Sequence, residues 1–302
     1  MTEFGKPNTT DFVCLALLGL LWGMPYALTK IALATIPPVT MVAGRVSLAA
    51  IALWLFVAFR DSRVPLSRSF ITSVFIQGII TCVIPYTLIA FGQRSVDSAL
   101  AAVLNSATPF FVCVISFVWT RHETLTPRRW LGVGVGLAGV VMVTGASATL
   151  GLGRTLPGEL AIIAATFSSA LSAVYGRQFT DVAPEVTAAG TLTSAAVALV
   201  PVSFLVETPL DITPSAASLV ALAVNGVIAT ALGFALYFHL LRRIGSMGVA
   251  SVGYLKPAFG VLIACTLVGE PLTWPVTSGL VAVSVGVAAL NHRASKPRLI
   301  RA

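Results

Sequence analysis

The stretch AFGQRSVDSALAAVLNSATPFFVCVISFVWTRHETLTPRRWLGVGVGLAG, residues 90–139, is answered later in the chain by FHLLRRIGSMGVASVGYLKPAFGVLIACTLVGEPLTWPVTSGLVAVSVG, residues 238–286. Arg94 stands opposite Arg242, Ala102 opposite Ala250 and Pro109 opposite Pro257. After a one-residue gap, Glu123 meets Glu270, Gly132 meets Gly279 and Gly139 meets Gly286. Upstream, Pro38, Gly44 and Ser47 meet Pro184, Gly190 and Thr193. Self-similarity at one fixed spacing is the signature of a duplicated structural unit. The chain therefore divides into halves 1–149 and 150–302.

Outward from the repeat, the composition names the solvent. Of the residues, 57% are apolar and 10% charged, whereas a water-facing domain carries about 25% charged residues. Apolar runs fall at 12–34, 39–59, 69–91, 97–119, 129–148, 158–178, 186–207, 216–241, 247–268 and 275–291. Each is about 20 residues, enough to cross roughly 30 Å of hydrocarbon. In lipid a run of that length must satisfy its backbone hydrogen bonds internally, so the runs are expected to be helices. The expected fold is an all-α integral membrane protein with ten transmembrane helices. Each half holds five, an odd number, so the second half enters the bilayer upside down and the repeats are inverted.

Charge orients the chain. With the N-terminus inside, the cytoplasmic segments carry Lys6, Arg60, Arg63, Arg68, Arg121, Arg128, Arg129, Arg177, Arg242, Arg243, Arg293, Lys296, Arg298 and Arg301, against Arg94 and Arg154 outside. That asymmetry places both termini in the cytoplasm. The same distribution accounts for the net charge of +8 without nucleic acid, since groove-reading motifs and aromatic interleaving are missing. The N-terminal segment lacks a clear small-residue cleavage site, so the first apolar run is expected to be a span and not a cleaved signal. Cys14, Cys82, Cys113 and Cys265 lie singly in apolar runs and read as small buried hydrophobes.

The stretch LLWGMPYALTKIAL at 20–33, followed by PPVTMVAGRVSLAA at 37–50, resembles the opening of EamA-type members of the drug/metabolite transporter superfamily. The later pattern of small residues, Pro, an acidic turn, Leu-Thr and a Gly-rich final helix occurs twice. The resemblance covers essentially the whole chain. It implies a ten-helix carrier of the bacterial inner membrane, commonly an exporter of amino acids or other metabolites. Many relatives carry an acid where this chain has Lys256, so the resemblance does not extend to a coupling scheme built on that acid.

Three basic residues lie inside apolar runs: Lys30, Arg45 and Lys256. Lys256 is about nine residues into its run, roughly 14 Å deep and close to the midplane. A lysine there costs about 2.5–3.5 kcal/mol on insertion scales, which directs it towards a cavity or a partner. It is read as a contact for a substrate carboxylate or phosphate, with a structural lysine bonding a freed carbonyl as the competing account. Arg45, roughly 10 Å deep, is either a second anion contact or a lock between helices. Lys30, about one turn from a helix end, is expected to snorkel outward.

Around these cations stand intramembrane aromatics and helix interruptions. Trp22, Tyr26, Tyr86 and Tyr254 lie away from the interfacial belt and either stack on a flat substrate or simply pack. Trp54, Trp119, Trp130 and Trp274 fall near run ends and read as belt residues. Pro109 frees the carbonyl of Asn105 and Pro257 that of Gly253; with Pro25 and Pro85 they form a set of expected helix breaks, and paired breaks point to a binding site. The candidate substrate-binding set is thus Lys256, Tyr254, Trp22, Tyr26, Tyr86, Arg45 and Asn105. The glycines at 132, 136, 139, 279 and 286 read as close helix packing.

All eleven acids fall in loops or near span ends, so no carboxylate is placed for a mid-membrane proton relay. No cofactor or metal site is expected, and no ligand cluster such as HExxH occurs. The three histidines, His122, His239 and His292, do not equip an intramembrane protease. A channel gains no particular support from an inverted repeat. The expectation is a secondary transporter moving an amino acid or related carboxylate by alternating access, most naturally an exporter, with drug-like or aromatic compounds as the alternative cargo. Its partners are then a small-molecule substrate and the lipid bilayer.

Overall fold

The computed structural model describes residues 8–60, 62–120, 127–149, 155–249 and 252–291. These form helices α1 (Thr9–Ala32), α2 (Pro38–Phe59), α3 (Arg68–Gly92), α4 (Ser98–Val118), α5 (Pro127–Thr149), α6 (Leu156–Gln178), α7 (Pro184–Val206), α8 (Ala216–Ile244), α9 (Val252–Ile263, continued by Ala264–Val268) and α10 (Trp274–Asn291). Seven, namely α1 to α4 and α6 to α8, are long and apolar enough to cross a membrane. Outward faces are apolar too, on α2 and α7 and also on α5: Ile51, Leu55, Val197, Leu131 and Val141 are each about 60–70% exposed. Polar solvent would penalise such a surface, and lipid does not.

Helix starts follow local chemistry. The Asn8 side chain caps α1 by accepting from the Asp11 N–H while the Asp11 carboxylate accepts from the Asn8 N–H, a capping box. Proline opens α2 and α7 at Pro38 and Pro184, where a missing N–H costs nothing.

Packing between the halves obeys the repeat. Three helices pack on their own counterparts: α2 on α7, α4 on α9 and α5 on α10. The larger of the remaining cross-contacts come in swapped pairs, α1–α9 with α6–α4, α1–α8 with α6–α3, and α2–α8 with α7–α3. Helix ends give directions. The start of α1, the start of α7 and the end of α8 meet through Arg243–Asp11 at 2.8 Å and Arg242–Glu185 at 3.3 Å; this is the starting end. At the far end, Glu207 beyond α7 meets the start of α2, and Glu270 beyond α9 meets the start of α4. The start of α6 is there as well, so close to α3 that a Cβ on Gly158 would stand 2.8 Å from the Gly92 carbonyl oxygen. Hence α1 and α6, α2 and α7, and α4 and α9 run in opposite directions.

Local geometry repeats as well. A π-helical segment interrupts α3 at Ile79–Val83 and α8 at Val224–Leu232, and others close α4 at Ser116–Thr120 and α9 at Ala264–Val268. A π segment leaves carbonyls without their usual donors, and nearby hydroxyls supply them. Ser168 donates to the Ile80 carbonyl at 2.9 Å and Thr230 to the Asn225 carbonyl at 2.7 Å.

The α5–α10 pair shows what the glycines do. A Cβ on Gly286 would lie 2.7 Å from Phe110 Cζ and 2.8 Å from the Gly132 carbonyl oxygen, and one on Gly139 would lie 2.6 Å from the Cβ of Ala282. Phe110 is fully buried in this seam. Gly286→Val is expected to lower stability by about 1–3 kcal/mol through overpacking, read as a reduced detergent melting temperature, whereas Gly134→Ala, with open space around its Cα, leaves it unchanged.

Candidate functional site: a cation-lined central cavity

A cavity of about 810 Å³ lies between the halves, walled by α1, α2, α3, α4, α6, α7, α8 and α9. Lys256, Arg45, Trp22, Tyr26, Tyr86, Asn105, Pro25 and Pro109 all line it. Pro85 and Pro257 are buried but do not reach its wall, and the Tyr254 side chain lies outside the described residues. Pro85 instead follows directly on the π segment of α3, where the helix has already given up its regular bonding. The carbonyl of Asn105, freed by Pro109, accepts the Thr108 hydroxyl at 2.7 Å.

The Lys256 ammonium donates to Asn105 Oδ1 at 3.0 Å, and the Tyr26 hydroxyl donates to the same oxygen at 2.7 Å. The Asn105 amide nitrogen donates to Thr166 Oγ1 at 3.3 Å, which fixes the amide with its oxygen towards the lysine. The ammonium also stands 5.6 Å from the centre of the Tyr26 ring, within cation–π range. Lys256 thus joins α9 to α1 and α4, and its partners are neutral.

Arg45 is 8% exposed. Its Nε donates to Thr230 Oγ1 at 3.1 Å, and its guanidinium lies over the Tyr86 ring at 4.1 Å. It both links α2 to α3 and α8 and lines the cavity, so the two readings of Arg45 are compatible. Trp22 packs against Tyr237 at 5.3 Å and edge-on to Phe234 at 6.2 Å, with Phe238 stacked on Phe234. These α8 aromatics, and the polar wall of Gln77, Thr81 and Ser172, were not singled out from sequence. Tyr237 carries the same signal as Trp22, an aromatic inside an apolar run. Gln77 donates to the Ser172 hydroxyl at 3.2 Å and Thr81 bonds the same hydroxyl at 2.6 Å.

The cavity wall includes Gly176, Arg177, Phe179, Pro184 and Leu241, all at the starting end, and Arg177 is exposed there. At the far end two carboxylates tie helix starts to the ends of neighbouring helices. The Glu207 carboxylate accepts the N–H groups of Val39 and Thr40 at 3.0 and 2.7 Å, and Glu270 accepts those of Ser98 and Ala99, both at 2.8 Å. Each carboxylate sits at a helix N-terminus, where orphan N–H groups and the helix dipole favour negative charge. Part burial and the Glu270 carboxylate push the nearby Asp97 carboxyl above the usual aspartate value, opposed by Lys30.

Lys30 reaches from the last turn of α1 to the far-end turn after α3, where its ammonium donates to the carbonyls of Gln93 and Val96 at 2.8 and 3.1 Å. The Trp54 indole N–H donates to Thr193 at 2.8 Å across the α2–α7 seam. Trp130 and Trp274 are exposed, and the side chain of Trp119 lies outside the described residues.

Known proteins share this architecture. A solved crystal structure superposes with a TM-score of 0.66 at 20% identity, over 94% of this chain and 96% of that one. The uncharacterized inner membrane transporter YedA of Escherichia coli K12 is 25% identical over 264 residues, 87% of this chain and 84% of its own. A probable amino-acid metabolite efflux pump of Salmonella typhimurium is 26% identical over 291 residues, 90% of this chain and 91% of its own. The two repeats match one family, at residues 12–145 and 156–291. With both halves matched, the chain belongs to the EamA-like transporter family, and its apolar helices make it a multi-pass protein of the inner membrane.

Proposed function

We propose that the protein carries a small organic carboxylate, an amino acid or a related acid, out of the cell by alternating access between halves 1–149 and 150–302. In this reading α5, α9 and α10 cross the bilayer with the other seven helices, giving ten spans with both chain ends in the cytoplasm. The observation that carries it is the central cavity, which holds two intramembrane cations on neutral partners and whose described wall reaches the starting end. Inverted halves can exchange conformations, so the arrangement described is the inward-facing partner of an outward-facing one. The Salmonella relative's name, a probable amino-acid metabolite efflux pump, supports both the cargo class and the direction.

The test is solute counterflow in proteoliposomes. Vesicles loaded with unlabelled acid are expected to accumulate labelled acid transiently above equilibrium. Simple equilibration without an overshoot would show a pore. In the same assay Lys30→Ala is expected to keep most of the wild-type exchange, because its ammonium faces the far-end turn and not the cavity.

A further inference from the structure

Resting on the carrier reading, we infer that the cavity selects organic anions that lack a free ammonium over zwitterionic amino acids. Among the described residues, its wall carries three cations, Arg45, Arg177 and Lys256, and no aspartate or glutamate. Nearby carboxylates are committed elsewhere: Asp11 to Arg243, Glu185 to Arg242, and Glu207 and Glu270 to backbone N–H groups. Arginine stays charged whatever its surroundings, and a buried charge without a counter-charge is costly. The partners of Arg45 and Lys256 are a tyrosine face, a threonine and an asparagine amide. They bond the cations without neutralising them, so the missing charge is left for the ligand to bring.

The repeat makes the same point. The counterparts of Arg45 and Lys256 in the other half are Thr191 and Thr108, and both threonines line the cavity. Each cation is therefore an addition to one half of a shared framework. The scaffold does not require it twice.

A zwitterion would neutralise one of Arg45 and Lys256 but place its ammonium against the other, with no aspartate or glutamate among the described wall residues to receive it. The wall does offer neutral polar groups. Gln77, Thr81 and Ser172 line it, which suits a hydroxyl or an amide N–H. The apolar body of the solute has Trp22, Phe234 and Tyr237 to pack on. The chemical class is an aromatic or apolar carboxylate whose second polar group is uncharged, as in a 2-hydroxy acid or an N-acylated amino acid.

The experiment measures binding to the purified full chain in nanodiscs at neutral pH, using N-acetylphenylalanine, phenyllactate and phenylalanine. The two anions are expected to bind at least about tenfold more tightly than phenylalanine, a preference set by uncompensated charge in a low-dielectric cavity. Lys256→Gln, which keeps a hydrogen-bonding side chain, is expected to weaken binding of both anions and to reduce that preference several-fold. Equal or tighter binding of phenylalanine, or failure of both anions to bind, would overturn the inference. Counterflow with the same three solutes separates it from the carrier reading. Phenylalanine exchanged as fast as the anions removes the selectivity and keeps the carrier; selective binding without exchange does the reverse.

Discussion

Lys256→Ala is expected to abolish carboxylate counterflow while the protein inserts, folds and purifies normally. The reasoning begins with what the ammonium touches. Among the described residues its hydrogen-bond partner is Asn105 Oδ1, which keeps the Tyr26 hydroxyl when the lysine is removed. Truncation therefore leaves no buried acceptor orphaned, and the fold loses little. The ligand loses a charge-assisted contact in a desolvated site, and removing one member of such a pair costs about 2–5 kcal/mol. Affinity is expected to fall by roughly 30-fold or more. Lys256→Arg tests the geometry: charge is kept, but a planar fork replaces a compact ammonium, and partial recovery is expected. Wild-type flux in Lys256→Ala would remove the lysine from the site.

The second large effect concerns the far end. Glu207→Ala with Glu270→Ala is expected to shift the protein towards the outward-facing form. Each carboxylate satisfies two N–H groups in the first turn of a helix, one on α2 and one on α4. Loss of a helix cap costs about 0.5–2 kcal/mol, so losing both is expected to move the population by about tenfold or more. The two sites join a helix of one half to the end of its counterpart in the other, and these joints must part if the halves rock. A cysteine at Ile89, on the cavity wall one turn before Gln93, reports the shift. In a background without the native cysteines, its labelling by a membrane-impermeant reagent from the far side is expected to rise. Glu→Gln at both positions, which retains an acceptor oxygen, is expected to fall between wild type and the double alanine. Unchanged labelling would reduce the two carboxylates to helix caps.

How far the sequence foretold this depends on the kind of signal. Helix positions were legible because apolar length is dictated by bilayer thickness, and α5 at Pro127–Thr149 lies within two residues of the expected 129–148. The repeat was legible because Pro109 and Pro257, or Gly139 and Gly286, keep their spacing. The convergence of Lys256, Arg45, Trp22, Tyr26, Tyr86 and Asn105 on one cavity follows from a simple cost: polar groups at mid-depth are expensive against lipid and collect inside. Their part in substrate binding is a proposal of the present account.

What stayed hidden depends on contacts between distant turns. Nothing in the spacing around Lys30 shows that Gln93 and Val96 turn their carbonyls towards it. Glu207 and Glu270 read as loop acids, although Glu270 matches Glu123 in the repeat, and a role at a helix start is visible only once the helices are assembled. The π segments at Ile79–Val83 and Val224–Leu232 have no residue signature of their own. Tyr237 and Gln77 had weak signals, an aromatic and an amide inside apolar runs, and are recognised as wall residues only from the packing.

The measurement that most directly tests alternating access is two-sided labelling of single cysteines in the cysteine-free protein, one at Ile89 and one at Leu241, with and without saturating substrate. Both positions line the cavity, Ile89 towards the far end and Leu241 towards the starting end. The account predicts reciprocal changes: a condition that raises labelling at Ile89 from the far side lowers it at Leu241 from the starting side. Simultaneous high labelling of both, unaffected by substrate, would describe an open pore and contradict it.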